Sequence, residues 1–92
     1  MESGWPWVMR ILREETDVTQ EEFAHIAGLA VGSVSRWERG LGKPSNLCKS
    51  VIGKYYLQNK DNIAEGYRNQ IEAFFKKEKV RDFWFPAPLF PP

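Results

Sequence analysis

The sequence predicts an all-α fold, a compact bundle of about five helices followed by an extended C-terminal tail of prolines and aromatic residues. Three observations predict it. Apolar residues recur at three- and four-residue spacing from Trp5 to about Lys79, and glycines, prolines and capping residues cut that pattern into short helical segments. The last ten residues, FWFPAPLFPP, then break the pattern with four prolines. Ninety-two residues with 42% hydrophobic content suffice for one small domain around a single apolar core. Residues 1–80 are expected to form that domain and residues 81–92 the tail.

A first helix is expected from about Trp5 to Thr16. Pro6 suits its first turn, where a missing N–H costs nothing, and Ser3 or Gly4 precedes it as a cap. Val8, Ile11 and Leu12 share one face, with Trp5 and Trp7 available to extend the core. The second helix begins at the best-marked boundary of the chain. Thr19 and Glu22 have the Thr-x-x-Glu spacing of a capping box, Val18 and Phe23 that of a hydrophobic staple, and Glu21 and Glu22 place negative charge at the positive end of the helix dipole. Phe23, Ile26 and Ala27 supply its apolar stripe, Ala24 leaves room for a crossing helix, and His25 lies on the polar side.

Gly28 ends the second helix and a turn of about three residues leads to a third, from about Val31 to Arg39. Val34 and Trp37 point inward, Val31, Gly32, Ser33, Ser35 and Arg36 outward, and Gly40 closes the helix. Its own propensity is poor: Ala30 is a weak N-cap, and Gly32 costs about 1 kcal/mol relative to alanine. Such a helix has to be held by its neighbours. Ser45 caps a fourth helix ending near Leu57, with Leu47, Val51, Ile52 and Tyr55 inward and Cys48 packed beside them. Asp61 is placed to cap a fifth running to about Lys79, whose apolar stripe is Ile63, Tyr67, Ile71, Phe74 and Phe75.

Composition excludes several function classes. With one cysteine and one histidine, neither an intrachain disulfide nor an all-protein zinc site can form, and no cofactor or other metal is expected. No nucleophile–base pair or phosphate loop marks an enzyme. No run approaches the roughly 18 apolar residues that span a bilayer, and no signal pattern opens the chain, so a reduced, cytoplasmic setting is expected. The net charge of +1 is unremarkable but unevenly spread. Five acidic residues and no basic one lie between Glu14 and Glu22, whereas Arg36, Arg39, Lys43, Lys49 and Lys54 face only Glu38 between positions 36 and 54. A phosphate-facing surface is therefore expected in and after the third helix.

The stretch from Thr19 to Pro44, two short helices joined by a glycine turn and closed by Gly40 and Pro44, reads as a helix-turn-helix. From Arg13 to Ser45 the chain resembles the Cro and Xre type of phage repressors, a lambda-repressor-like domain. Gln20, Ala24, Gly28, Val34, Trp37, Glu38, Gly40, Pro44 and Ser45 carry the resemblance. It implies a buried ion pair between Arg13 and Glu38, a phosphate contact from Gln20, and a third helix that puts Val31, Gly32, Ser33 and Arg36 in the major groove, with Arg39 and Lys43 on phosphates. The chemistry agrees: Arg36 can grip guanine O6 and N7, Val31 can touch a thymine methyl, and Ser33 can donate to a base or phosphate. Ala30, Val31 and Gly32 depart from the polar readers and hydroxyl cap common in the family, so direct readout is expected to be thin.

The expected function is a sequence-specific regulator of transcription, a repressor binding double-stranded DNA as a homodimer. The alternative is an antitoxin or adaptor that binds a partner protein such as a toxin through its tail and regulates its own synthesis through the helix-turn-helix. The stripe Tyr67, Ile71, Phe74 and Phe75 is longer than a small core needs, which leaves part of it for a dimer surface. In the tail, Phe83, Trp84, Phe85, Leu89 and Phe90 are too apolar for a solvated segment. They call for a groove on the same domain, on a second subunit or on another protein.

Overall fold

A computed structural model describes residues 4–80. Five α-helices follow one another: α1 (Trp5–Glu15), α2 (Gln20–Ala27), α3 (Val31–Glu38), α4 (Asn46–Asn59) and α5 (Glu65–Glu78), with a single 3-10 turn (Lys60–Asn62) between the last two. The described residues are all helix and connecting turn.

Local chemistry explains most of the boundaries. Pro6 sits in the first turn of α1 behind Gly4. At α2 the Thr19 hydroxyl accepts from the Glu22 N–H at 3.0 Å while the Glu22 carboxylate accepts from the Thr19 N–H at 2.9 Å, so two orphan donors of the helix end satisfy one another's residues. The Ser45 hydroxyl accepts from the Cys48 N–H at the start of α4. At their C-termini, four helices reverse through one left-handed residue: Asp17, Gly28, Gly40 and Lys79. In each the next N–H reaches back five residues, Val18 to Arg13, Leu29 to Ala24, Leu41 to Arg36 and Val80 to Phe75, at 2.8–3.0 Å. This closing motif satisfies carbonyls that the helix leaves unpaired and turns an apolar residue back toward the core. Val80 is buried, Val18 and Leu29 are partly so, and Leu41 remains exposed.

The core draws on every helix. Trp5, Val8, Met9, Ile11 and Leu12 of α1 meet Phe23 and Ala24 of α2, Val34 and Trp37 of α3, Ile52, Tyr55 and Tyr56 of α4, and Ile71, Phe74 and Phe75 of α5. Aromatic edges organise it: Phe23 meets Tyr55 at 4.7 Å between ring centroids, Trp5 meets Phe74 at 5.0 Å, and Tyr56 meets Phe75 at 5.6 Å.

Several expectations are corrected. Ile26 is 59% exposed, because the stripe α2 buries is centred between Phe23, Ala24 and Ala27, about 100° of helix rotation away from it. Leu47 is 76% exposed for the same kind of reason: α4 turns Ile52, Tyr55 and Tyr56 inward with Cys48 beside them, and Leu47 is one residue out of phase. Val51 is half-buried. Asp61 does not cap α5. It lies in the 3-10 turn, after which Ile63 enters the core in extended conformation (φ −110°, ψ 131°), so the helix starts only beyond Ala64. Ile71, Phe74 and Phe75 are no spare surface either. Trp5 and Tyr56 reach the two phenylalanines across the bundle and all three residues are buried; of that stripe only Tyr67, edge-on to Trp7 at 6.0 Å, keeps an exposed face. The tail residues Phe83, Trp84, Phe85, Leu89 and Phe90 lie outside the described residues.

Candidate nucleic-acid interface

Helix α3 is built to be held from behind. It has eight residues, no side-chain cap and a glycine in its first turn, too little for independent stability. Val34, Trp37 and Glu38 anchor it, all three buried. The Glu38 carboxylate gathers donors from two other helices. Arg13 of α1 grips it in bidentate fashion, Nε to Oε2 at 2.5 Å and Nη2 to Oε1 at 2.9 Å, and Gln20 of α2 donates Nε2 to Oε1 at 3.1 Å. Arg13 also donates Nη1 to the Val18 carbonyl at 3.2 Å, across the turn between α1 and α2. Arg10, one turn earlier, donates to the Glu38 carbonyl at 3.3 Å. Glu38 is thus a junction of α1, α2 and α3 whose charge Arg13 neutralises. The hydrogen bond to Glu38, more than the opposing effect of burial, raises the Arg13 pKa further, so the pair stays ionised.

The opposite face of α3 is open. Val31, Gly32 and Arg36 are exposed along it, Arg39 follows at its end, and Ser33 and Ser35 are half-buried. The Arg39 Nε donates to the Ser35 carbonyl at 3.4 Å. The Arg36 guanidinium extends over the following loop, its Nη2 lying 3.6 Å from the point where a Cβ on Gly42 would stand. The loop from Gly40 to Lys43 is exposed and carries Leu41 outward.

Of the residues expected at this surface, the structure therefore gathers Val31, Gly32, Arg36 and Arg39 on one exposed edge. Two others are placed differently. Gln20 is half-buried, and Glu38 takes one of the two N–H donors of its amide. Lys43 lines a groove with Gly4, Trp5, Pro6, Gly40, Gly42, Phe74 and Glu78, on the side where α1 begins and α5 ends.

The same groove borders a cluster that the sequence did not reveal. Glu78 accepts from the Lys49 ammonium at 3.1 Å and from the Trp5 indole N–H at 3.3 Å, and the ammonium lies 5.9 Å over the Trp5 ring. Burial pushes the Glu78 carboxyl up, but the bonds from Lys49 and Trp5 and the charges of Lys49 and Lys43 outweigh it and leave its pKa below the ordinary value. Arg10 was equally hidden, although its position three residues before Arg13 puts both on one side of α1. On α2 the charge reverses. Asp17, Glu21 and Glu22 line a shallow groove with Val18, His25 and Ile26, a surface that repels phosphate.

A comparison with known families matches residues 9–46 to the helix-turn-helix family, the segment from the middle of α1 to the first residue of α4. No curated protein and no solved structure matches the chain significantly. The matched segment contains the whole Glu38 junction and the open face of α3, and over these residues the chain is similar to the Cro/Xre type of helix-turn-helix.

Proposed function

We propose that the protein is a sequence-specific repressor that binds DNA as a homodimer, each copy laying α3 in the major groove. The observation that carries this reading is the division of α3 into a buried back, Val34, Trp37 and Glu38 tied to α1 and α2, and an exposed front, Val31, Gly32 and Arg36. A rigidly held helix with an open cationic edge is what groove docking requires. In this reading Arg36 contacts guanine, Val31 and Gly32 face base edges, and Ser33 donates to a base or phosphate. Arg39 and Lys43 reach phosphates beside the groove, and Gln20 offers a phosphate its second amide N–H. Residues 1–80 are the DNA-binding unit and residues 81–92 a separate tail.

Two copies would set their α3 helices about 34 Å apart, one helical turn of DNA, on a roughly palindromic site. With Ile71, Phe74 and Phe75 in the core, Tyr67 and the tail residues Phe83, Trp84, Phe85, Leu89 and Phe90 are left for the dimer contact. The antitoxin or adaptor alternative rests on that tail, outside the described residues.

Selection of binding sites from random duplexes, followed by titration, tests the reading. Arg36→Ala is expected to cost about 1–3 kcal/mol on the selected operator and little on random DNA. Unchanged operator binding would remove α3 from the groove, and selection of single half-sites would remove the dimer.

A further inference from the structure

Gly32 stands where the fold has no need of a glycine. Among the described glycines, Gly28 and Gly40 take left-handed conformations that other residues resist, but Gly32 is helical. A Cβ added to it would meet no atom within 4 Å. Glycine there weakens a helix that already lacks a side-chain cap. The residue before it is Val31, an apolar side chain 43% exposed on the open face of α3. Neither residue can offer a polar side chain to a base. What they offer is an apolar surface beside a stretch of helix backbone with no side chain in the way.

Resting on the reading of α3 as the groove helix, we propose that Val31 and Gly32 form a reader of the pyrimidine 5-methyl group. The Val31 isopropyl group packs against the C5 methyl of a thymine, and the bare backbone at Gly32 lets that base edge approach α3 closely. Of the groups that base pairs display in the major groove, the thymine methyl is the apolar one, and an apolar side chain is its natural complement. The selectivity is for the methyl group rather than for the base. A 5-methylcytosine presents the same methyl at the same position, so at this position it is retained where cytosine and uracil are discriminated against.

The test uses the full chain and its selected operator, with each thymine replaced in turn by deoxyuridine, which removes only the methyl. One position in each half-site is expected to lose about fourfold in affinity, the effect of one buried methyl group. In Val31→Ala the same replacement is expected to make no difference. Gly32→Ala is expected to raise the melting temperature by a few degrees yet weaken operator binding about tenfold, because the new methyl group occupies the approach path. Gly66 supplies the matched control. It is the second residue of α5 as Gly32 is of α3, and a Cβ there is equally unobstructed. Gly66→Ala should therefore raise the melting temperature similarly and leave affinity unchanged. The proposal is overturned if no thymine position senses its methyl, if the sensitivity survives in Val31→Ala, or if Gly32→Ala binds the operator as tightly as the parent. Should Arg36→Ala still weaken binding in those cases, the methyl reader alone has failed; should it not, the groove assignment has failed with it.

Discussion

Glu38 shows how much of a small domain can depend on one side chain. Its carboxylate is buried, yet it holds a guanidinium from α1 and an amide from α2, so three helices keep their angles through two oxygens. Removing either charge leaves the other desolvated without its partner. Arg13→Ala and Glu38→Ala are each expected to destabilise the fold by on the order of 3 kcal/mol, visible as a lower melting temperature. Glu38→Ala should be the worse of the two, because it also orphans the Gln20 amide; melting temperatures equal to the parent's would reject the junction. The sequence made Arg13 and Glu38 legible as a pair only through family resemblance. It said nothing of Arg10, nor of the bond from Gln20 to Glu38. Side-chain partners across a bundle are chosen by distances that no spacing along the chain encodes.

Helices show the same split between local and distant causes. The starts of α2 and α4 and the ends of α2 and α3 were readable, because Thr19, Glu22, Ser45, Gly28 and Gly40 act within a few residues of where they stand. The start of α5 was not. Its N-cap residue, Ala64, has no capping side chain, and the N–H of Ala64 donates instead to the Glu15 carboxylate at 3.0 Å, brought from the end of α1. Glu15 also sets a negative charge at the positive end of the α5 dipole. Loss of this remote cap in Glu15→Ala is expected to cost about 1 kcal/mol and to speed amide exchange in the first turn of α5; unchanged exchange there would show that the contact holds nothing. Asp61 has the right chemistry for a cap, but Ile63 enters the core two residues later in a conformation that no helix allows. Burial of one isoleucine overrode the local signal.

Across the whole molecule, α5 and its partners close the bundle. Trp5 of α1 meets Phe74 edge to face, and Lys49 of α4 and the Trp5 indole meet on Glu78 at the end of α5. Because the folded-state pKa of Glu78 lies below its ordinary value of 4.5, the carboxylate contributes stability that is complete above that value and disappears as pH falls through the lowered one. Melting followed from neutral pH into acid should fall less steeply for Glu78→Gln than for the parent. Parallel curves would show that this cluster does not couple α5 to the pH. The sequence by itself determined the all-α class, the helix-turn-helix from Thr19 to Pro44 and the inward residues Phe23, Val34 and Trp37, because helical period, caps and glycine turns are properties of neighbouring residues. Only the tertiary structure decided that Ile26 and Leu47 face outward, that Phe74 and Phe75 are consumed by the core, and that Glu15, Gln20 and Glu78 find partners on other helices. Which side of an apolar stripe is buried, and which polar group meets which, depends on where another helix crosses, and that is settled only when all five pack together.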